Sequence, residues 1–420
     1  MRRATLLARL LAAGLALACG DSTPGPGAGD AATLHDQARA LARDQLILDG
    51  HIDVPMRLYR SQAEGGSLAQ DIPGRTESGN FDYERALEGG LDAAFMSIFV
   101  PARYEAQGGG KKLADELIDL VERMVERSPD RFALARDPQE VRRNQAAGRM
   151  SLPMGMENGT PLEGELGNVA HFAERGIRYI TLTHSRDNHL GDSSFDDAHT
   201  HGGLSEFGRR VVAEMNRVGI MIDVSHVSDD TFWDVLETSE TPVIASHSSC
   251  RHFTPGWERN MSDEMIRALA ARGGVIQINF GSYFVDDDVR LARERRRADL
   301  RTLLEERGLE RASPEARDTI VEFYATHPLP AVTAERVADH IEHVIELVGS
   351  DHVGLGSDFD GVGDALPADL ADVSQYPNLI LALLERGYTP EEIEQISSGN
   401  ALRVWQAVED FARSARESGA

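Results

Sequence analysis

The chain has 420 residues, 41% of them hydrophobic and 27% charged, with a formal net charge of −26. That length suits one large domain with insertions or two modest ones, and no repeat of solenoid period divides it. The acid excess excludes nucleic acid as a partner, because phosphate binding needs clustered Lys and Arg. It also repels an anionic membrane surface except where the chain is tethered.

Residues 1–18 read as an export signal: a basic start at Met1-Arg2-Arg3, then an apolar core interrupted by Arg9. That core is too short to span a bilayer as a mature helix. Ala16-Leu17-Ala18-Cys19 resembles a bacterial lipobox, with Ala16 where leucine is commonest. The resemblance implies lipidation of Cys19 and an exported protein anchored to the cell envelope, facing the periplasm; ordinary secretion with nearby cleavage is the other reading. Residues 19–33, rich in Gly, Pro and Ser at their start, form the expected tether, which leaves 34–415 as the folded domain. The only other cysteine is Cys250. If Cys19 is acylated no disulfide is possible within the chain, so stability rests on a core that a domain of this size can supply.

Eight short apolar runs follow, and most end in metal-ligand residue types. They are Leu46-Ile47-Leu48 leading into Asp49-Gly50-His51-Ile52-Asp53, then residues 93–100, then Met154-Gly155-Met156-Glu157, then Tyr179-Ile180-Thr181-Leu182-Thr183-His184. After these come Ile220-Met221-Ile222-Asp223-Val224-Ser225-His226, Val243-Ile244-Ala245-Ser246-His247, residues 275–280, and Val353-Gly354-Leu355-Gly356-Ser357-Asp358. Near-continuous apolar strands imply burial on both faces, the parallel-sheet situation. Eight of them alternating with helical stretches (111–127, 203–218 and 262–272 carry apolar stripes at helical spacing) predict an α/β fold, a (β/α)8 TIM-like barrel. In such barrels chemistry gathers at the C-terminal strand ends. The charged segment 285–330 after the seventh strand is expected as one or two exposed helices over or beside the mouth, either a lid or a solvated elaboration. Thr389-Pro390-Glu391-Glu392 marks a helix start, and a closing helix over 401–411 is expected on the outer ring.

His51 and Asp53, two apart on a strand, share a face and can grip one divalent ion. His226 and His247, at the ends of neighbouring strands, can grip a second. Glu157 is the carboxylate placed to lie between the pairs; a bridging carboxylate holds two metals about 3.5–4 Å apart. Nitrogen and oxygen ligands without thiolate suit two Zn2+, with Mn2+ or Co2+ as substitutes. His199 and His201 form a His-x-His in a polar loop that no strand fixes. His340 and His343 share a face of the helix before the eighth strand, which runs away from the mouth, and read as surface or packing residues.

With these residues in hand, the chain resembles the membrane (renal) dipeptidase family, peptidase family M19, whose members are zinc metallopeptidases on an amidohydrolase-like barrel. The matching elements are Asp49-Gly50-His51-Ile52-Asp53, Gly155-Met156-Glu157-Asn158-Gly159, Thr181-Leu182-Thr183-His184, Ile222-Asp223-Val224-Ser225-His226, Ser246-His247-Ser248-Ser249, Arg259-Asn260 and the segment from Gly354 to Gly361. They run in the family's order over about 40–406. The resemblance implies His51, Asp53 and Glu157 on one zinc, and Glu157, His226 and His247 on the other. It further implies a metal-bridging hydroxide as nucleophile and His184 as hydrogen-bond donor to the developing oxyanion. Arg259, with the adjacent Asn260, is implied to bind the substrate's terminal carboxylate, and Asp358 to carry the proton from nucleophile to leaving amine. Asp360 is read as structural, holding the strand end. The implied activity is hydrolysis of dipeptides with a free C-terminal carboxylate, L,D-dipeptides among them, by a homodimer. The alternative is a metal-dependent amidohydrolase acting on a non-peptide amide or β-lactam. Asn158-Gly159-Thr160 replaces the Gly-Gly-His of animal members, a change that touches no ligand but can alter the pocket.

Overall fold

The computed structural model describes residues 28–63, 72–363 and 365–418. The expected export signal and Cys19 lie outside the described residues. Ten strands form one sheet: β1 (Ile47–Ile52), β2 (Leu91–Phe99), β3 (Phe132–Leu134), β4 (Met150–Leu152), β5 (Met154–Glu157), β6 (Ile177–Thr181), β7 (Met221–Asp223), β8 (Ile244–Ser248), β9 (Val275–Ile278) and β10 (Val353–Leu355). All pairings are parallel, in the order β1-β2-β5-β6-β7-β8-β9-β10. The ring closes just beyond β10, where the Asp53 N–H donates to the Phe359 carbonyl at 2.8 Å and the Asp358 N–H to the His51 carbonyl at 3.0 Å. The eight expected runs are therefore the eight barrel staves. Their residues are almost all buried, as parallel strands covered on both faces require.

The remaining two strands were not foreseen. β4 is split from β5 by Pro153, which has no N–H to donate, and with β3 it extends the sheet beside the start of β2. The helices meet their apolar stripes: Gly110–Arg127 buries Leu113, Leu117, Leu120, Val121 and Met124. Thr389 forms a complete capping box with Glu392.

One expectation is corrected and another extended. The helix at the domain's start begins at Ala28, so residues 28–33 of the expected tether are helical; alanines there favour helix once the chain has left the Gly/Pro run. The closing helix, Asn400–Ser418, packs on the outer-ring helix Glu206–Val218 as expected and also reaches under the barrel. Its Leu402, Val404, Trp405 and Val408 join one apolar cluster with Leu46, Leu48, Met221, Ile244 and Val275, at the N-terminal ends of the strands, and with Phe95 and Tyr179 in mid-strand. Trp405 sits 5.2 Å, centroid to centroid, from the Phe95 ring. The helix is the floor of the barrel.

The 285–330 segment contains two helices, Asp287–Glu306 and Pro314–Thr326, with a small core of their own made by Leu300, Leu304, Ala316 and Phe323. Tyr283, Phe284 and Val289 anchor it to the barrel rim.

One buried acid gives a clean stability test away from the site. Asp92 on β2 accepts from the Ile47 N–H at 3.1 Å and from Gln145 Nε2 at 3.2 Å, while burial pushes its carboxyl up to about 6. Its folded value lies above its unfolded one, so the folded state holds the proton between them. The associated stability is present below the unfolded value and is lost as pH rises through about 6. Asp92→Asn keeps an acceptor for Ile47 and is expected to stabilise the protein by roughly 1–2 kcal/mol at pH 8, with the gain vanishing toward pH 4. Denaturant melts at the two pH values check this; equal gains at both would assign the effect to something other than ionisation.

Candidate metal centre

The C-terminal strand ends open into a cavity of roughly 810 Å³, a size ordinary for small-molecule sites. Glu157, the last residue of β5, is the hub. Its Oε1 lies 3.3 Å from His184 Nε2, 3.3 Å from His226 Nε2 and 3.6 Å from His247 Nε2. Its Oε2 lies 3.5 Å from His51 Nε2, which is itself 3.5 Å from Asp53 Oδ2, and accepts from Ser97 Oγ at 3.1 Å. Burial alone would raise the Glu157 carboxyl, but the surrounding imidazoles, His51 foremost, hold it well below the usual carboxylate range. Burial pushes His226 and His247 well below the ordinary histidine value and lowers His184, so all three present neutral rings. His51 goes the other way: the pull of burial is outweighed by Tyr179, Glu157 and Asp53.

The arrangement fits a divalent ion. The Nε2 atoms of His226 and His247 approach to 2.8 Å, and the buried His51 Nε2 has no hydrogen-bond partner. Three overlapping groups, each with ligand atoms within 4.8 Å of one another, meet here: His51, Glu157 and His247; Glu157, His184 and His226; His51, Asp53 and Asp358. All five expected ligand residues are thus brought together, and His184 stands as near Glu157 as His226 does.

Residues that escaped the sequence reading hold these rings. His51 Nδ1 meets the Tyr179 hydroxyl at 2.7 Å. His247 Nδ1 meets Ser246 Oγ at 2.7 Å, and that hydroxyl donates to Asp223 Oδ2 at 2.6 Å. A partner on the far ring nitrogen fixes the tautomer and aims Nε2 inward. Asp223 Oδ1 also takes the N–H groups of Ser225 and Ser246 at 3.0 and 2.8 Å. Asp49 repeats the device between β1 and the end of β10, accepting from the His51 and Ser357 N–H groups at 2.9 and 3.0 Å. The signal was a buried Asp two residues before a polar strand end, twice.

Backbone strain gathers at the same place. Four of the six non-glycine residues with left-handed φ among the described residues are Asn158, His226, Asp358 and Asp360. Such conformations cost on the order of 1 kcal/mol or more each and persist where the surroundings enforce them. At Gly361 a Cβ would fall 2.0 Å from Asp358 Oδ1 and 2.3 Å from Asp53 Oδ2, so only glycine lets those carboxylates approach.

Asp358 receives Asn279 Nδ2 on its Oδ2 at 2.9 Å; burial, then the Asp53 charge, pushes its carboxyl well above the usual range in the protein alone. Asp360 accepts from Arg57 at 3.2 Å and from the Asn80 N–H at 2.7 Å, and so ties the strand end as expected. Arg259 is only 2% exposed. Its terminal nitrogens donate to Ser248 Oγ and the His247 carbonyl, each at 2.8 Å, while its Nε has no partner. Asn260 corrects the expectation that it binds substrate. It has no exposed surface, and its amide is spent on Thr254, Phe284 and Ser249, so it holds the Arg259 loop. His201 binds the Asn188 carbonyl. His340 is fully buried between Cys250 and Val285, and His343 pairs with Asp263, so neither reaches the centre.

Residues 35–419 match the family model described as membrane dipeptidase, peptidase family M19. Dipeptidase verJ of Clonostachys rogersoniana is 33% identical over 91% of this chain and 89% of its own, and dipeptidase tcpJ of Claviceps purpurea 32% identical over 90% and 80%. Among solved structures, a metallo peptidase from Rhodobacter sphaeroides liganded with a phosphinate mimic of the dipeptide L-Ala-D-Ala superposes with a TM-score of 0.71, 26% identity, and coverage of 87% of this chain and 100% of that one. The probable dipeptidase PvdM from Pseudomonas aeruginosa superposes at 0.76 with 25% identity, covering 91% and 100%. The chain belongs to the membrane dipeptidase family, peptidase family M19, and is a metallopeptidase.

Proposed function

We propose that this chain is a dizinc dipeptidase that cleaves dipeptides bearing a free C-terminal carboxylate, including those with a D-residue at that end. The observation that carries the reading is Glu157, whose two oxygens face His51 on one side and His184, His226 and His247 on the other. His51 and Asp53 would hold one ion and His226 and His247 the other, with Glu157 between. Bound there, two zinc ions would supply positive charge that polarises the scissile carbonyl and lowers the pKa of the attacking water. His184, kept neutral by burial, offers the Nε2 hydrogen to the oxyanion. Asp358, steadied by Asn279, takes the water's proton on its carboxylate and returns it to the departing amine. Arg259 keeps an unpaired Nε–H for the terminal carboxylate. The Rhodobacter sphaeroides neighbour, solved with a mimic of L-Ala-D-Ala, supports the L,D reading.

The test is hydrolysis by metal-analysed protein of L-Ala-L-Ala, L-Ala-D-Ala, their C-terminal amides and a β-lactam. Turnover of the free dipeptides with about two metals per chain is expected; a metal-loaded protein that leaves dipeptides intact would sink the proposal. Arg259→Lys should raise KM for the acids by roughly tenfold while changing kcat little, since a point charge replaces a guanidinium whose Nε–H is free for the carboxylate. An unchanged acid-over-amide preference would remove Arg259 from that role. Export, Cys19 lipidation and a homodimer complete the proposal. Labelled-palmitate incorporation that Cys19→Ser abolishes, and light scattering at twice the chain mass, are the results expected.

A further inference from the structure

The inserted helix Asp287–Glu306 brings two arginines to the cavity wall, Arg293 and Arg297. They are four apart and so share one helical face, an arrangement of like charges that is unfavourable on an isolated helix. Among the described residues neither makes an ion pair, whereas Arg290 on the same helix is paired with Asp287 and Glu294. Arg293 is half-buried, and its guanidinium carbon lies over Tyr283, 3.7 Å from the ring centroid. In a protein of net charge −26, two adjacent cations without acid partners beside the cavity are suited to meet an anion. The acids that line the same cavity do not serve them: Asp53, Glu157 and Asp358 sit with the histidines, and Asp360 is taken by Arg57.

Their position says which part of a substrate they meet. Arg259 stacks over Phe284 (5.1 Å), Phe284 over Tyr283 (4.3 Å), and Tyr283 under Arg293. Phe284, Tyr283 and the insert arginines thus line one wall of the cavity, with Arg259 against Phe284. If Arg259 holds the main-chain carboxylate, as proposed above, the side chain of the C-terminal residue projects along Phe284 and Tyr283 toward Arg293 and Arg297. We infer that the insert makes this enzyme selective for dipeptides whose C-terminal residue carries an acidic side chain, with Arg293 and Arg297 as the specificity-determining pair. The inference rests on the dipeptidase reading and on Arg259's part in it.

Isosteric substrates isolate the charge. For the zinc-loaded full chain, kcat/KM for Ala-Glu should exceed that for Ala-Gln by on the order of tenfold to a hundredfold, the worth of charge-assisted hydrogen bonds, in whichever C-terminal configuration is turned over. The preference should reside in KM and shrink as salt rises. Arg293→Gln with Arg297→Gln should collapse the Glu/Gln ratio toward one, and Arg293→Lys with Arg297→Lys should retain much of it. Continued turnover of Ala-Gln by the variants reports that they are folded. A wild-type ratio near one, or a high ratio that survives the double glutamine change, overturns the arginine pair and leaves the dipeptidase standing. Failure of the zinc-loaded wild type to cleave either substrate overturns both.

Discussion

Asp358→Asn is expected to keep both metals and lose kcat by roughly 10²–10⁴, the range for removing a positioned general base. The substitution is structurally mild. Asp358 sits at φ 61°, a region asparagine tolerates well. The Asn279 amide, 2.9 Å from Oδ2, can still donate to the new side chain's oxygen. What disappears is the ability to hold and release a proton. In the protein alone burial and Asp53 push this carboxyl up, so bound cations are what would bring it down to a working base. Metal content by mass spectrometry beside steady-state kinetics decides the matter: full metal with wild-type kcat would strip Asp358 of its role, and lost metal would make it a ligand instead.

Glu157→Gln should do the reverse and empty the centre. A glutamine matches the shape but offers one neutral oxygen and an NH2 group. Two donor hydrogens would then point at imidazole Nε2 atoms that lie 3.3–3.6 Å from the present carboxylate. Metal content should fall to one ion per chain or fewer, and turnover by on the order of 10³ or more, equivalent to several kcal/mol of lost charge stabilisation. Retention of two metals would show that Glu157 is not what joins the halves of the site. Together the variants separate holding metal from moving protons.

Much of this centre was legible in the sequence because barrel staves are buried on both faces. An apolar run then stops where the chain meets the cavity, and the residue at the stop is the one doing chemistry. His51, Glu157, His226 and His247 were found that way. What escaped depended on a partner far away in the chain. Tyr179 reads as ordinary strand filling until the fold sets its hydroxyl on His51. Asn260 reads as a polar neighbour of Arg259 until its complete burial shows every hydrogen bond spent indoors. The apolar positions of the closing helix reveal a buried face but not everything it is buried against, so its second place, under the barrel, does not show. The Arg/Glu run of the insert likewise resembles a solvated surface. Only the seating of the helix on Tyr283 and Phe284 brings Arg293 and Arg297 to the cavity wall.

The closure of the ring sets the order in which this enzyme can come to life. Asp49 and Ser357, which meet across the seam, are 308 positions apart, and Trp405 completes the floor later still. A ribosome has delivered every expected metal ligand by His247, yet the closing strand and Asp358 are still to come. Truncation before residue 400, on the face opposite the cavity, would remove the floor of the barrel without touching a single residue of the site. Catalytic competence is in this sense a receipt for a finished chain.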